Sequence, residues 1–382
     1  MAKAELRAEL EELIGREGAL KARRDPHARR KPRPCGLTVH PGRGCPNACL
    51  YCYVGDILGT SPSEPEPLPL SGPELAYALV SNPYFVPGHM GTFLAMGAIC
   101  DPFHPALAGK TLDILDAVAR YLGNPTQFST KMVLGPGLAA ELAAKCLSLS
   151  PLITIVTLER AKELEPRAPP PEERLRTIRE LRKAGLKPTL FLRPLIPGLV
   201  EHELEELVFE ARKAGAVGVV VGTLRVSKAI LARLRKLGLD KAVRARLKRE
   251  PPLKGLVAVS CPDLKEEALK IAREKGLLAF KAACCANAYC AGVPCADLCW
   301  LRGFCTHCPN NCPEKLPEVD EGEVLSALKA VYGLEATEAA VEPAKLVVWV
   351  RKKAGVQRAL ETARIALEVA TRRPILFKLR RT

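Results

Sequence analysis

Cys45-Pro46-Asn47-Ala48-Cys49-Leu50-Tyr51-Cys52 sets three thiols close together, spaced C-x3-C-x2-C, with an aromatic side chain just before the last. Iron–sulfur clusters take Cys thiolates as ligands, and three this close can hold three irons of a cubane [4Fe–4S] centre. The motif contains no fourth cysteine. One iron would then lack a protein ligand and stand open to a cofactor. A second reading of the same residues is a zinc knuckle. Zinc closes a tetrahedron of N or S donors, and His40 would be its fourth ligand.

A second group follows far downstream: Cys284, Cys285, Cys290, Cys295, Cys299, Cys305, Cys308 and Cys312. Core packing does not explain this density. The run Cys305-Thr306-His307-Cys308-Pro309-Asn310-Asn311-Cys312-Pro313 echoes ferredoxin spacings. It predicts at least one auxiliary [4Fe–4S] cluster. Structural zinc, in one or two four-thiolate sites, is the alternative.

The elements that must position these thiols alternate. Apolar runs at Leu37–His40, Thr92–Gly97, Gln127–Val133, Leu152–Leu158, Pro188–Arg193 and Val217–Gly222 read as strands. Helical segments lie between them, at Lys110–Leu122, Gly137–Lys145, Glu172–Ala184 and Glu203–Ala214. Strands and helices alternating at these lengths imply βαβ units and a parallel sheet. Leu256–Ser260 and Leu277–Lys281 add two more strands, around a helix opened by Asp263 and closed at Gly276. If both join the sheet in parallel, Cys261, Cys284 and Cys285 emerge on the same face as the first cysteine loop.

Four regions are expected: an N-terminal helix with a basic linker (1–34), the α/β body (35–283), the Cys-rich segment (284–317) and a small basic α/β unit (318–382). The last would hold helices near Glu321–Tyr332 and Val356–Ala370, with strands near Leu346–Val350 and Ile375–Leu379. Residues 61–73 read as a Pro/Ser-rich surface loop.

The cysteine motif resembles that of the radical S-adenosylmethionine (radical SAM) superfamily. The likeness extends through Leu37-Thr38-Val39-His40-Pro41-Gly42-Arg43-Gly44-Cys45 and Tyr51-Cys52-Tyr53. It continues in Thr157-Leu158-Glu159, Leu164-Glu165-Pro166-Arg167-Ala168-Pro169, Glu173-Arg174-Leu175, Ala184-Gly185-Leu186, Pro194-Leu195-Ile196-Pro197-Gly198-Leu199 and Leu224-Arg225. Together these resemble the spore-photoproduct-lyase-like group over roughly residues 36–226.

The resemblance implies a partial (β/α)6 TIM-like barrel, here extended to seven or eight strands, with the active site at the C-terminal strand ends. It implies that Cys45, Cys49 and Cys52 hold the cluster, and that the unique iron chelates the amino and carboxylate groups of SAM. A low-potential donor would supply the electron that cleaves a C–S bond and yields a 5′-deoxyadenosyl radical. Tyr51, Gly97, Ala98, Thr157, Glu159 and Arg193 would contact the cofactor. Met96-Gly97-Ala98 stands where the superfamily commonly has a Gly-Gly-Glu type sequence. Cys100 would return a hydrogen atom to the product radical, in roughly the region of the lyase's donor cysteine.

Composition narrows the partners. The 382-residue chain carries a formal net charge of +15. Residues 225–254 hold eleven Lys/Arg against two acids, and residues 341–382 eleven against three. Such concentrations favour a polyanion, RNA or DNA, and otherwise mark solvated helix faces. No long apolar run predicts a membrane span, and the charged, Glu-rich N-terminus is unlike a secretory signal, so a cytoplasmic protein is expected. Abundant Glu, Lys and Arg with frequent Pro and rare Met suit a thermophile. Three functions remain open: a radical SAM enzyme acting on nucleic acid, a radical SAM maturase of a peptide or protein, or a non-enzymatic metal-binding protein associated with nucleic acid.

Overall fold

Seven short runs pair side by side in one parallel sheet: β1 (Leu37–Thr38), β2 (Leu94–Met96), β3 (Thr126–Thr130), β4 (Leu149–Thr154), β5 (Thr189–Leu195), β6 (Gly218–Thr223) and β7 (Leu278–Phe280). The computed structural model describes residues 3–33, 36–59, 64–145, 148–295, 298, 301, 310–352 and 355–380. The strands follow each other in chain order across the sheet, as repeated βα units require. Every residue of β4 is buried, which is normal for a parallel strand covered on both faces.

Helices cross over between these strands, and their ends follow local chemistry. α1 (Lys3–Arg24) precedes the sheet, α2 (Gly72–Ser81) and α3 (Pro105–Ala117) flank β2, and α4 (Pro136–Lys145) follows β3. Ser71 and Glu74 form a reciprocal capping box at the start of α2. α5 (Pro171–Lys183) opens on proline followed by Glu172 and Glu173 and closes on Arg182 and Lys183, complementing the helix dipole at both ends. α6 (Val200–Lys213) and α7 (Pro262–Glu274) complete the outer layer.

Leu6, Leu10, Ala19 and Ala22 of α1 share the main apolar core with the strands. The N-terminal helix is therefore docked on the body. The expected surface loop at 61–73 contains a short strand, Glu66–Pro67, paired antiparallel with Gly42–Arg43, and runs into α2.

One expected strand lies elsewhere. Val257–Ala258 pairs antiparallel with Arg225–Val226 in a separate two-stranded ribbon. Only two residues are extended there, and the sheet edge beside β6 is taken by β7. Among the described residues the sheet therefore has seven strands, and Cys261 does not follow one of them. β4 begins three residues earlier than expected, with Pro151 inside it.

After β7 the chain forms α8 (Ala283–Ala291), a helix not foreseen in the Cys-rich segment. The C-terminal unit is a sheet of β8 (Ala336–Glu342), β9 (Lys345–Arg351) and β10 (Ile375–Arg380) with α9 (Glu321–Tyr332) and α10 (Val356–Thr371). Leu328, Leu346, Val348, Val350, Leu360 and Ala363 form its own core. No helix among the described residues is long and apolar enough to cross a membrane.

Candidate metal and cofactor site

The loop after β1 carries the first three cysteines, and its backbone is fastened on several sides. Gly44 donates to the Ile99 carbonyl at 3.1 Å and Leu50 to the Leu164 carbonyl at 2.9 Å, while the Asn47 carbonyl accepts from Arg167 at 3.3 Å. Arg233 donates from Nε to the Leu50 carbonyl (2.9 Å) and from Nη2 to the Cys52 carbonyl (2.8 Å) and Asp56 (3.1 Å). A residue of the basic run 225–254 is thus spent on holding this loop. Arg246, also in that run, pairs with Asp263 at 2.6 Å.

Cys45, Cys49 and Cys52 line one cavity at the C-terminal ends of the strands, with about 880 Å³ of empty space, part of it open to solvent. Gly97, Ala98, Cys100, Asp101, Lys131, Arg193 and Arg225 line it too. Burial pushes the Cys45 thiol up to about 11 and the Cys49 thiol up to about 12. Such thiols ionise only when a cation is offered, which coordination provides. The Cys52 sulfur accepts the Val54 N–H at 3.4 Å.

These features fit a cubane with three protein ligands. The three sulfurs are more widely spaced than the donors of one ion. Among the described residues, the group of three donors whose ligand atoms all lie within 4.8 Å is Cys284, Cys285 and Cys295, not this one. His40, the fourth ligand of the zinc alternative, does not line the cavity. Its ring sits 6.0 Å from that of His27, and burial lowers it to about 4.

Behind the cysteines lies a charged layer missed in the sequence. Glu165 is fully buried, accepts a hydrogen bond from the Tyr51 hydroxyl, and lies 2.5 Å from Arg174 Nη1 and 3.8 Å from Lys131 Nζ. Lys131 sits 5.6 Å from the Tyr51 ring centroid. Burial opposes the Lys131 charge, but the neighbouring Cys49 sulfur and Glu165 outweigh it and raise the ammonium above its ordinary value. Lys131 thus supplies positive charge beside sulfurs that must become thiolates. Tyr51, expected against the cofactor, lines the cavity while its hydroxyl donates to Glu165. Asp101 organises the next loop, accepting from Thr130 Oγ1 at 2.5 Å and from the Lys131 N–H at 2.8 Å. Glu165 and Arg174 stood in the quoted motifs without a role, and the burial of two opposite charges was the signal that only packing reveals.

Gly97 adopts φ +99°, and a Cβ there would stand 2.5 Å from the Ser129 carbonyl and hydroxyl. The close approach that requires glycine is therefore to the neighbouring strand. Arg193 leaves the end of β5 across Gly222, whose missing side chain makes room for it. Cys100 is in the cavity wall, pushed up to about 12 by burial.

Two expected cofactor contacts are absent from the lining. The Thr157 hydroxyl donates to Glu203, whose carboxylate also accepts from the backbone of Leu158 and, at 3.1 Å, of Glu159. Glu203 is almost fully buried and ties this turn to α6. The Thr157 hydroxyl is thereby committed to the turn, the Glu159 side chain is exposed, and neither residue lines the cavity.

The second cysteine group is not at the cavity mouth. Asn287 of α8 reaches the Leu94 and Pro125 carbonyls, at the N-terminal ends of β2 and β3. Cys284, Cys285, Cys295 and Cys312 pack in an apolar cluster with Phe93, Leu152, Phe191, Val220 and Phe280. Phe191 also lines the cavity, so the barrel's own side chains stand between the two sites. Cys290 is about half a helical turn away from the Cys284–Cys285 face, with its sulfur on the Lys187 carbonyl at 3.8 Å. Cys299, Cys305 and Cys308 lie outside the described residues.

Residues 39–211 match the family model of the radical SAM superfamily. An uncharacterized protein of Mycobacterium tuberculosis is 28% identical over 199 residues, covering 49% of this chain and 58% of that protein. One of Acidianus two-tailed virus is 28% identical over 189 residues, covering 46% of this chain and 62% of that protein. The chain thus spans less than two thirds of either relative. A spore photoproduct lyase double mutant with bound AdoMet and dinucleoside spore photoproduct superposes with a TM-score of 0.55 at 18% identity, over 66% of this chain and 76% of the other. At that identity the likeness is one of fold.

Proposed function

From the premise that residues 39–211 form a radical SAM domain, in a chain of spore-photoproduct-lyase-like fold, we propose an enzyme that makes a 5′-deoxyadenosyl radical from SAM and uses it on a nucleic acid. The observation that carries this reading is the placement of Cys45, Cys49 and Cys52 in one wall of the cavity at the strand ends. A [4Fe–4S] cluster held there supplies one low-potential electron and an iron corner for the SAM amino and carboxylate groups.

The chain's own residues set the conditions. Lys131 offsets the charge of buried thiolates. Gly97 and Ala98 present backbone to the methionine end of SAM. Arg193 offers a guanidinium that matches a carboxylate. Tyr51, Glu165 and Arg174 make the rigid base under the loop. In this reading Cys100, which lines the same wall, gives a hydrogen atom to a substrate radical. An external low-potential reductant completes the system.

Nucleic acid is preferred to a peptide because of a face of the C-terminal sheet. Trp349 stands with Lys378 Nζ 4.8 Å and the Arg380 guanidinium 5.2 Å from its ring centroid. Aromatic platforms beside cations are how single strands are held without sequence preference. Arg225, Lys228, Arg235 and Lys236 are exposed, Arg225 at the cavity. The bound dinucleoside of the lyase comparison points the same way.

The test is product analysis with reconstituted, dithionite-reduced protein. Release of 5′-deoxyadenosine from SAM supports the enzyme. A full complement of cluster iron with no cleavage favours the binding-protein alternative. In the same assay Cys100→Ala should still release the nucleoside but fail to finish product. Unchanged product turnover would remove Cys100 from the mechanism.

A further inference from the structure

The sulfurs of Cys284, Cys285 and Cys295 all lie within 4.8 Å of one another, and all three residues are buried. Four sulfurs held tetrahedrally about 2.3 Å from one zinc ion lie about 3.8 Å apart. A cubane interposes iron and sulfide and keeps its ligands wider, as the Cys45–Cys49–Cys52 set does. The tight trio has the spacing of a single ion.

Cys312 falls outside that 4.8 Å group but is hydrogen-bonded to Cys295, and it is 1% exposed, so a small shift of its loop would bring its sulfur to the same ion. Its sulfur accepts the Cys295 backbone N–H at 3.2 Å and an Asn310 Nδ2 hydrogen at 3.2 Å. Asn310 is itself fixed by donating to the Val293 carbonyl at 2.8 Å and accepting from Lys315 at 3.0 Å. Paired N–H donors on one sulfur favour its thiolate, and such outer partners orient metal ligands.

A buried cation completes the pattern. Arg372, at the end of α10, is 0% exposed. Its Nη2 donates to the Gly91 carbonyl at 3.1 Å, and its guanidinium lies 5.0 Å from the Phe93 ring centroid. Its Nε and Nη1 atoms are buried without a hydrogen-bond partner. Phe93 packs in the same apolar cluster as Cys295 and Cys312, which brings the guanidinium to their side of the barrel. A guanidinium taken fully out of water needs a compensating charge. Four thiolates on a divalent ion carry two net negative charges.

We propose that Cys284, Cys285, Cys295 and Cys312 bind one soft divalent cation, zinc, with Arg372 as its buried counter-charge. The centre joins three parts of the chain: α8 on the barrel, the loop around Cys312, and the C-terminal unit through Arg372. It serves the fold and takes no part in the cavity's chemistry. It stands or falls independently of SAM cleavage.

The test uses the full chain carrying Cys45→Ala, Cys49→Ala and Cys52→Ala, so that iron at the first site does not intrude. Elemental analysis should find zinc at one ion per chain or more, without acid-labile sulfide. Adding Cys284→Ser and Cys295→Ser should remove one zinc per chain. If that variant does not fold, cobalt substitution of the parent decides, by the charge-transfer and ligand-field bands of tetrahedral thiolate cobalt. Arg372→Met should speed zinc transfer to a chromogenic chelator by about ten-fold, the low end for an outer-shell change, and Arg372→Lys should restore most of the loss. Iron and sulfide in place of zinc, zinc content indifferent to Cys284 and Cys295, or octahedral cobalt would overturn the site. Equal release from Arg372→Met and parent would overturn the counter-charge.

Discussion

Arg233 donates from Nη2 to the Cys52 carbonyl at 2.8 Å, and so ties α-helical residues after β6 to the cysteine loop after β1. The same guanidinium reaches the Leu50 carbonyl and Asp56. Arg233→Ala should cost about 1–2 kcal/mol, a partly exposed charged hydrogen-bond set, and should loosen cluster retention more than global stability. Iron loss to a chelator under anaerobic conditions checks this against a urea unfolding curve. Unchanged iron retention would mean the loop is held without Arg233.

Gly97→Ala would place a methyl 2.5 Å from the Ser129 carbonyl while the backbone holds φ +99°. The loop must shift, and displacements of about 1 Å at a reacting centre can cost about 10²-fold in rate. SAM cleavage should fall by about that factor with the helical circular dichroism retained. A variant that cleaves SAM at the parental rate would show that this backbone is not at the cofactor.

The cysteine loop was legible because its ligands sit within one short segment, where spacing alone states the geometry. The layer of Glu165, Arg174 and Lys131 was not, because three separated segments each contribute one charge. Parallel strands were readable from apolar runs and glycine stops. β4 was mis-bounded because Pro151 reads as a breaker, yet it sits in a central strand opposite Phe128. β8 was missed because the apolar residues of Ala336–Glu342 are three alanines and one valine interrupted by acids, and one of its seven residues is buried. Cys261 is expected on the cavity side because Val257–Ala258 reads as a barrel strand, and its antiparallel pairing with Arg225–Val226 removes that register; β7 does join in parallel, but α8 packs Cys284 and Cys285 into the apolar cluster of Phe191 and Phe280.

His40 carries a pH prediction. Burial, with help from His27 and Arg30, lowers it from 6.5 to about 4. The unfolded chain therefore takes up the proton first as pH falls. The neutral ring's contribution is complete above pH 6.5 and is lost as pH falls toward about 4, a swing of about 3 kcal/mol. Urea midpoints at neutral and mildly acidic pH should show this slope, and His40→Leu should flatten it. An identical slope in both proteins would assign the acid sensitivity elsewhere.

Trp349 and its two cations predict single-strand binding. Trp349→Ala should weaken it by about 1–3 kcal/mol, the range for one stacked base. Lys378→Ala should reduce the salt slope by about one unit. Fluorescence anisotropy of a labelled oligonucleotide across a salt series measures both. Binding that ignores salt, or variants that bind like the parent, would return the peptide reading to first place.

The proposed chemistry requires that a cluster held by Cys45, Cys49 and Cys52 keep one iron open for the amino and carboxylate groups of SAM. Electron–nuclear double resonance on the reduced cluster, with SAM isotopically labelled at those groups, measures that bond. The predicted result is hyperfine coupling from both labels, lost on Cys49→Ala. A fully assembled, reduced cluster with no coupling to either label would contradict it.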